Sequence, residues 1–216
     1  IAKFIQKISP DIICFQEFDN VLSPKFDEYK FKIFKPYKSN GRVGSCIVSK
    51  YPLINGKEIL FENSLNGGMQ SDLIWKRDTL RIYNIHFESL KLNSKDTLFS
   101  SENSKQILNK LRKVFTFQKN QMSMFIELID KNKFPEIICT DLNNNAFSDI
   151  YNFISKGRSD AFLEKGSGFG STYRFPFFPL RIDYIFTSKN ITVLDFKTYD
   201  IDLSDHKPIL AKLQWP

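Results

Sequence analysis

The sequence predicts a single α/β domain with more than one β-sheet. Three observations carry that expectation. Apolar runs of strand length are bounded by polar residues or Pro, one long segment has helical periodicity, and adjacent strands alternate with strand–helix units. The chain of 216 residues suits one large domain over residues 1–216 with a substantial core. No linker or low-complexity tract divides it.

The elements follow in order. "IAKFIQKIS" (1–9) sets Ile1, Phe4, Ile5 and Ile8 at helical spacing. Pro10 then opens "PDIICFQEF", whose unbroken apolar run reads as a strand covered on both faces. "FKIFKPY" (31–37) alternates as a half-buried strand, and "VGSCIVSKYPL" (43–53) is another that stops at a Pro. "MQSDLIWK" (69–76) and "TLRIYNIHF" (79–87) flank Arg77–Asp78 as a hairpin. Residues 91–104 are polar and irregular, interrupted by Leu98 and Phe99. From Lys105 to Lys131, the residues Leu108, Leu111, Phe115, Gln118, Met122, Phe125 and Ile129 recur every three or four positions. That pattern is an amphipathic helix with Lys and Arg on its other side. "PEIICTDL" (135–142) is a strand. Residues 148–157 form a short helix with Ser148 as N-cap and Gly157 past its end. The Gly-rich "EKGSGFGSTYRF" leads to strands near 181–187, 191–199 and 208–214.

Composition narrows the function classes. The net charge of +7, from 31 basic and 24 acidic residues, favours polyanionic partners: nucleic acid, phospholipid headgroups or phosphorylated sugars. Lys far outnumbers Arg, and a general bias towards Lys and Asn accounts for part of that excess. No apolar run approaches the roughly 18 residues of a membrane span. The chain starts at Ile1 without a Met, so an upstream anchor or targeting segment would lie outside it. Cys14, Cys46 and Cys139 sit inside apolar runs as small buried hydrophobes. They form no C-x-x-C pair, disulfide framework or zinc site.

The informative pattern is where the polar residues fall. "IICFQE" ends in Glu17, "IYNIH" in Asn84 and His86, "IICTDLN" in Asp141 and Asn143, and "LSDH" in Asp205 and His206. Each has a plain structural reading: a solvated strand end for Glu17, a hydrogen-bonded edge residue for His86, an Asx-turn for Asp141 and Asn143. Asp183, between Ile182 and Tyr184, is costly to bury unless paired or metal-bound. Together, carboxylates with amides and both histidines of the chain, but no thiolate cluster, suit a hard cation such as Mg²⁺ or Mn²⁺ acting on phosphate. Glu17 and Asp205 are the expected metal ligands.

The blocks "PDIICFQE", "IYNIHFES", "IICTDLNNN", "STYRF", "RIDYIF" and "SDHKPI" resemble, in order and across residues 10–210, the signatures of the endonuclease/exonuclease/phosphatase superfamily with the DNase-I-like fold. The layout is similar to a bacterial, Bacteroidetes-like branch whose members often carry hydrophobic segments upstream. The resemblance implies a four-layer α/β/β/α sandwich with the site at one edge of two packed mixed sheets. It implies that Glu17 binds the metal and that Asp205 is a ligand or its neighbour. Asp141 and Asn143 would orient the attacking water and the scissile phosphate. Asp183 would hold the His206 ring, His86 would contact the phosphate from another side, and Thr172 and Asn84 would support the phosphate site. Thr140 and Leu142 depart from the family's usual Gly and Phe around its Asp-x-Asn element. The family's first strand, with its site Asn, would precede Ile1. A carboxylate to orient His86 is also missing from the motif; Asp72 and Glu62 are the candidates.

The expected activity is metal-dependent hydrolysis of a phosphodiester by direct water attack, with nucleic acid as leading substrate. Lys105, Lys110, Arg112, Lys113 and Lys119 of the long helix, with Lys91 and Lys95 before it, could follow a phosphate backbone. A phosphatase or phosphodiesterase of phospholipid, phosphoinositide or other small phosphoesters is the second class. Aromatics in "TYRFPFFPL" (172–180) would then meet a membrane or substrate. A binding module that keeps only the scaffold is the third. A monomer is expected, either at a membrane or exported if a hydrophobic segment precedes it, and otherwise cytoplasmic.

Overall fold

The computed structural model describes residues 1–23, 26–89, 101–174 and 178–215, with side chains from 108 onward in the segment that begins at 101. In chain order the elements are α1 (Ala2–Ile8), β1 (Ile12–Asp19), β2 (Phe31–Pro36), β3 (Val43–Ser49), β4 (Leu53–Leu60), β5 (Gly67–Trp75) and β6 (Asp78–His86). Then come α2 (Ser101–Asp130), β7 (Glu136–Asp141), α3 (Asp149–Ser155), β8 (Arg158–Asp160), α4 (Ala161–Lys165), β9 (Asp183–Ser188), β10 (Thr192–Thr198) and β11 (Ile209–Gln214).

Six strands form one sheet in the order β4-β5-β6-β7-β9-β8. Its partner layer comes in two pieces, β1-β3-β2 and β10-β11. The period-2 alternation of β7 shows how the layers are glued. Ile137 and Cys139 turn towards the partner layer and share one core with Leu73, Leu80 and Ile82 of their own sheet and with Ile47 and Leu213 across from them. Ile138 turns the other way, against Phe125, Ile129 and Ile154 of the helices. On the far side of β1 and β3, Ile5 of α1 packs with Phe18, Tyr29 and Val48. The result is a four-layer α/β/β/α sandwich.

Several expected boundaries shift. The hairpin between β5 and β6 turns at Lys76–Arg77, one residue early, because Trp75 pairs with Asp78 and Lys76 takes the left-handed φ of 56°. α2 begins at Ser101, so residues 101–104 are helical rather than irregular; residues 91–100 lie outside the described residues, as do 175–177 of the aromatic loop. Ser148 caps α3 as expected, its Oγ accepting from the Tyr151 N–H. β4, β8 and α4 were not foreseen. Among the described residues β1 pairs only with β3, and β11 only with β10. A cleft of ≈ 1650 Å³ is lined by both of these strands and runs into the pocket described next. The three cysteines are free, and burial pushes the Cys46 thiol up to about 12, so it is inert as a nucleophile.

Candidate active site

Register alone brings three of the predicted residues together. His86 is opposite Asp141 in the parallel β6–β7 pair, and Asp141 is opposite Asp183 in the antiparallel β7–β9 pair. All three follow the face that carries Ile82, Ile137 and Ile185, so they emerge between the sheets at one edge. His206, in the loop before β11, closes the group: its Nδ1 lies 2.9 and 3.1 Å from the two oxygens of Asp183.

Asp141 is the centre. Its Oδ1 accepts the Asn143 N–H at 2.8 Å, an Asx-turn that holds Asn143 in a left-handed conformation (φ 48°). Its Oδ2 lies 3.4 Å from Nε2 of His86 and 3.9 Å from Nε2 of His206. The structural reading of this Asx-turn and the functional one therefore coincide. Asn143 donates one amide hydrogen to the Phe87 carbonyl at 3.0 Å. That bond ties the loop to the end of β6, and Gln118, reaching the Leu142 and Asn143 carbonyls at 3.4 and 3.5 Å, ties it to α2.

The two rings have opposite electrostatics. Burial, reinforced by the nearby His206 charge, pulls His86 down to about 4, so it is neutral near pH 7 and its approaches to Glu17 and Asp141 are not ion pairs. For His206 burial acts in the same direction, but the Asp183 hydrogen bond and charge, with Asp141 and Asp205, outweigh it and push the ring up to about 9. Burial, then the Asp183 charge, raises the Asp141 carboxyl well above the usual range against the pull of His206.

Glu17 reaches the pocket through a break in β1. The register shifts between Phe15 and Phe18, and Glu17 takes a left-handed φ of 51°. Its N–H donates to the Tyr37 hydroxyl at 3.2 Å, and its exposed carboxylate lies 3.8 Å from Nδ1 of His86. Asp205 is exposed; its backbone carbonyl accepts from Arg174, and its carboxylate from Ser204 at 3.1 Å.

Two expected phosphate supports do other work. Asn84 is fully buried: its Oδ1 accepts from Gln16, and its amide donates to the Phe15 and Cys46 carbonyls. It stitches the two sheets beneath the site and has no face left for phosphate. The buried Thr172 Oγ1 accepts the Ile182 and Asp183 N–H groups at 3.0 and 3.1 Å, so it positions the start of β9. Neither candidate for orienting His86 does so. Asp72 is bound by Arg81 and Asn55 elsewhere on the sheet, and Glu62 is exposed; the acids near the ring are Glu17 and Asp141. Tyr37 is absent from the expected site, and Tyr173 is expected only among the aromatics of 172–180 that would meet a membrane or substrate. The Tyr37 and His86 ring centroids are 6.1 Å apart, and those of Tyr173 and His206 are 4.9 Å apart in a T-shaped contact. The only available signal was their adjacency to "FKIFKP" and to Thr172.

A divalent cation fits this donor set. Carboxylate oxygens of Asp141 and Asp183 gather there within 4.8 Å of the His206 ring, and Glu17 faces the same pocket; the cationic ring itself has no lone pair to offer a metal. Three carboxylates against one cationic ring leave excess negative charge for such an ion to offset.

The sequence profile of the Endonuclease/Exonuclease/phosphatase family matches residues 1–206. The chain belongs to this family. Solved structures with the same fold include an endonuclease/exonuclease/phosphatase from Bacteroides vulgatus, 17% identical with a TM-score of 0.74, the match covering 100% of this chain and 88% of that one. D. rerio TDP2 complexed with a single-strand DNA product is 16% identical with a TM-score of 0.71, covering 98% and 89%. A mannosyl-6-phosphatase from Bacteroides thetaiotaomicron is 15% identical with a TM-score of 0.65, covering 99% and 89%. No curated protein matches the chain by sequence. Family members are phosphoester hydrolases, and this chain is one by membership.

Proposed function

We propose that the protein is a divalent-metal-dependent phosphodiesterase that cleaves by direct attack of water on phosphorus. The observation that carries this reading is the buried Asp141 carboxylate, set between a neutral and a cationic imidazole at a shared sheet edge. A carboxylate with a raised pKa accepts the proton of a bound water more readily than an ordinary one. Asn143, held by its backbone bond to Asp141, and the cationic His206 supply donors where charge builds on the phosphate oxygens. Asp183 fixes the His206 ring and its charge, leaving Nε2 to face the substrate. His86 contributes a neutral ring beside Asp141. Mg²⁺ or Mn²⁺, held by Glu17 with Asp205 as ligand or neighbour, would neutralise phosphoryl charge and ease departure of the ester oxygen.

Two substrates fit this chemistry. The charge of +7 and the basic residues of α2 favour a polyanion, for which nucleic acid is the simplest case. Exposed apolar side chains at the catalytic end favour a phospholipid. The common chemistry is tested with bis(p-nitrophenyl) phosphate. Turnover should require Mg²⁺ or Mn²⁺, stop with EDTA and fall by about three orders of magnitude in Asp141→Asn. Equal turnover in EDTA, or by the variant, rejects the proposal.

A further inference from the structure

α2 enters at the catalytic end and runs away from it. Gln118 touches the Asp141–Asn143 loop, while Asn132, just past the helix, binds Glu136 at the opposite end of β7. The turns before Gln118 therefore stand beyond the strand ends, with Leu108 about 15 Å ahead of it along the axis. From Asn103 to Ile126 the chain has no acidic residue and five basic ones. The stripe that buries Met122, Phe125 and Ile129 continues up this arm, yet Leu108 and Phe115 on it are each 47% exposed. Arg112, Lys113 and Lys119 are exposed around them.

The neighbouring loops repeat this chemistry independently. Val21 and Leu22, just past the end of β1, are 70% and 73% exposed. Phe147, four residues after Asn143, is 93% exposed. Phe178 is 64% exposed two residues before Leu180, which bridges to Tyr173, and Tyr173 also bridges to His206. Each such side chain leaves apolar surface in water that burial would remove. All of them leave the fold at the end that holds the site.

We propose that this end docks on an anionic bilayer surface, and that the phosphoester cleaved is a phospholipid headgroup. The proposal rests on the phosphodiesterase reading above and names its substrate class. Cations with interspersed large apolar residues are the composition of a helix lying in the headgroup layer. Single-stranded nucleic acid also takes cations and aromatics, but it uses the rings to stack on bases. Val21, Leu22 and Leu108 have no ring to stack, whereas an acyl boundary accepts them.

The test is co-sedimentation with phosphatidylcholine vesicles, with and without phosphatidylglycerol, run beside bis(p-nitrophenyl) phosphate turnover. Wild type should bind the anionic vesicles and leave the neutral ones. Arg112→Gln/Lys113→Gln/Lys119→Gln should weaken vesicle binding roughly five-fold per charge removed. Leu22→Ser/Phe147→Ser/Phe178→Ser should weaken it at least ten-fold, and both variants should keep wild-type turnover of the soluble ester. No binding by wild type, binding indifferent to both variants, or variants that lose only a single-stranded DNA oligonucleotide would each overturn the docking face. Failure of wild type to turn over the soluble ester with metal would instead reject the phosphodiesterase reading, because the vesicle assay does not depend on turnover.

Discussion

Asp183→Asn isolates what the carboxylate does for His206. The two oxygens of Asp183 hold Nδ1 at 2.9 and 3.1 Å in a half-buried setting, and the ring titrates at about 9. Asparagine keeps the volume and an acceptor but removes the charge, while burial continues to disfavour the cation. The ring should fall to near its ordinary value of about 6.5. At pH 8 the cationic fraction would then drop from about nine-tenths to a few per cent, roughly a 30-fold loss of the competent form. At pH 6 the loss should be small. The assay is the pH profile of kcat/KM on bis(p-nitrophenyl) phosphate, with the His206 ring followed by NMR in EDTA. The alkaline limb should move from about 9 towards 6.5. Stability carries the same sign. A base with a raised folded pKa stabilises fully below its unfolded value, and that contribution is lost as pH rises through about 9. Wild type in EDTA should therefore lose about 3 kcal/mol between pH 6.5 and 9 that Asp183→Asn does not lose. An unmoved limb, or a uniform loss of rate from pH 6 to 9, would show that Asp183 acts only as a structural acceptor.

Two further outcomes follow from the buried groups. The folded pKa of His86 lies at about 4, below the unfolded value, so its contribution is lost as pH falls from 6.5 towards 4, by about 3 kcal/mol. Burial raises the Asp141 carboxyl and so acts in the opposite sense, and comparing urea midpoints of wild type and His86→Gln at pH 7 and 4.5 isolates the ring. An equal acid loss in both proteins would refute the assignment. Thr172→Val leaves the Ile182 and Asp183 N–H groups without their acceptor. It should cost about 1–3 kcal/mol per unsatisfied donor in thermal or urea unfolding and reduce kcat more than it raises KM; wild-type stability would show that the backbone finds other partners.

The sequence made the strand-borne part of the site legible, and the reason is periodicity. "IICFQE", "IYNIH" and "IICTD" are apolar until their last residues, so the polar ends of β1, β6 and β7 stand out. Partnership across the fold was not legible. Asn84 looks like its neighbour His86 along β6, yet its side-chain oxygen accepts from Gln16, 68 positions away. Thr172 reads as a phosphate contact because it matches a threonine of the resembled family; only the donors it accepts from show that it sets the backbone. β4 escaped notice because an edge strand with one solvated face carries Lys57, Glu58 and an Asn55–Gly56 pair. The early turns of α2 were obscured because Ser101, Glu102, Asn103 and Ser104 read as loop composition.

The chemistry of the pocket depends on an asymmetry that neither histidine would show alone. Both rings point Nε2 towards the same oxygen of Asp141, at 3.4 and 3.9 Å, and burial lowers both. The difference lies on the other nitrogen. Nδ1 of His206 meets a carboxylate at hydrogen-bond distance, whereas Nδ1 of His86 has no hydrogen-bond partner among the described residues and the Glu17 oxygen is 3.8 Å away. One ring is therefore cationic and the other neutral at the same pH, which is how paired titratable groups come to divide roles. A cation held at Glu17 would deepen the division, since its charge would disfavour protonation of the adjacent His86 and favour ionised Asp141. Shortening Glu17 by one methylene in Glu17→Asp should then weaken metal activation while leaving the alkaline limb, set by Asp183 and His206, where it is. If that limb moved with Glu17, the two halves of the pocket would be one coupled system, and the division of labour drawn from their geometry would fail.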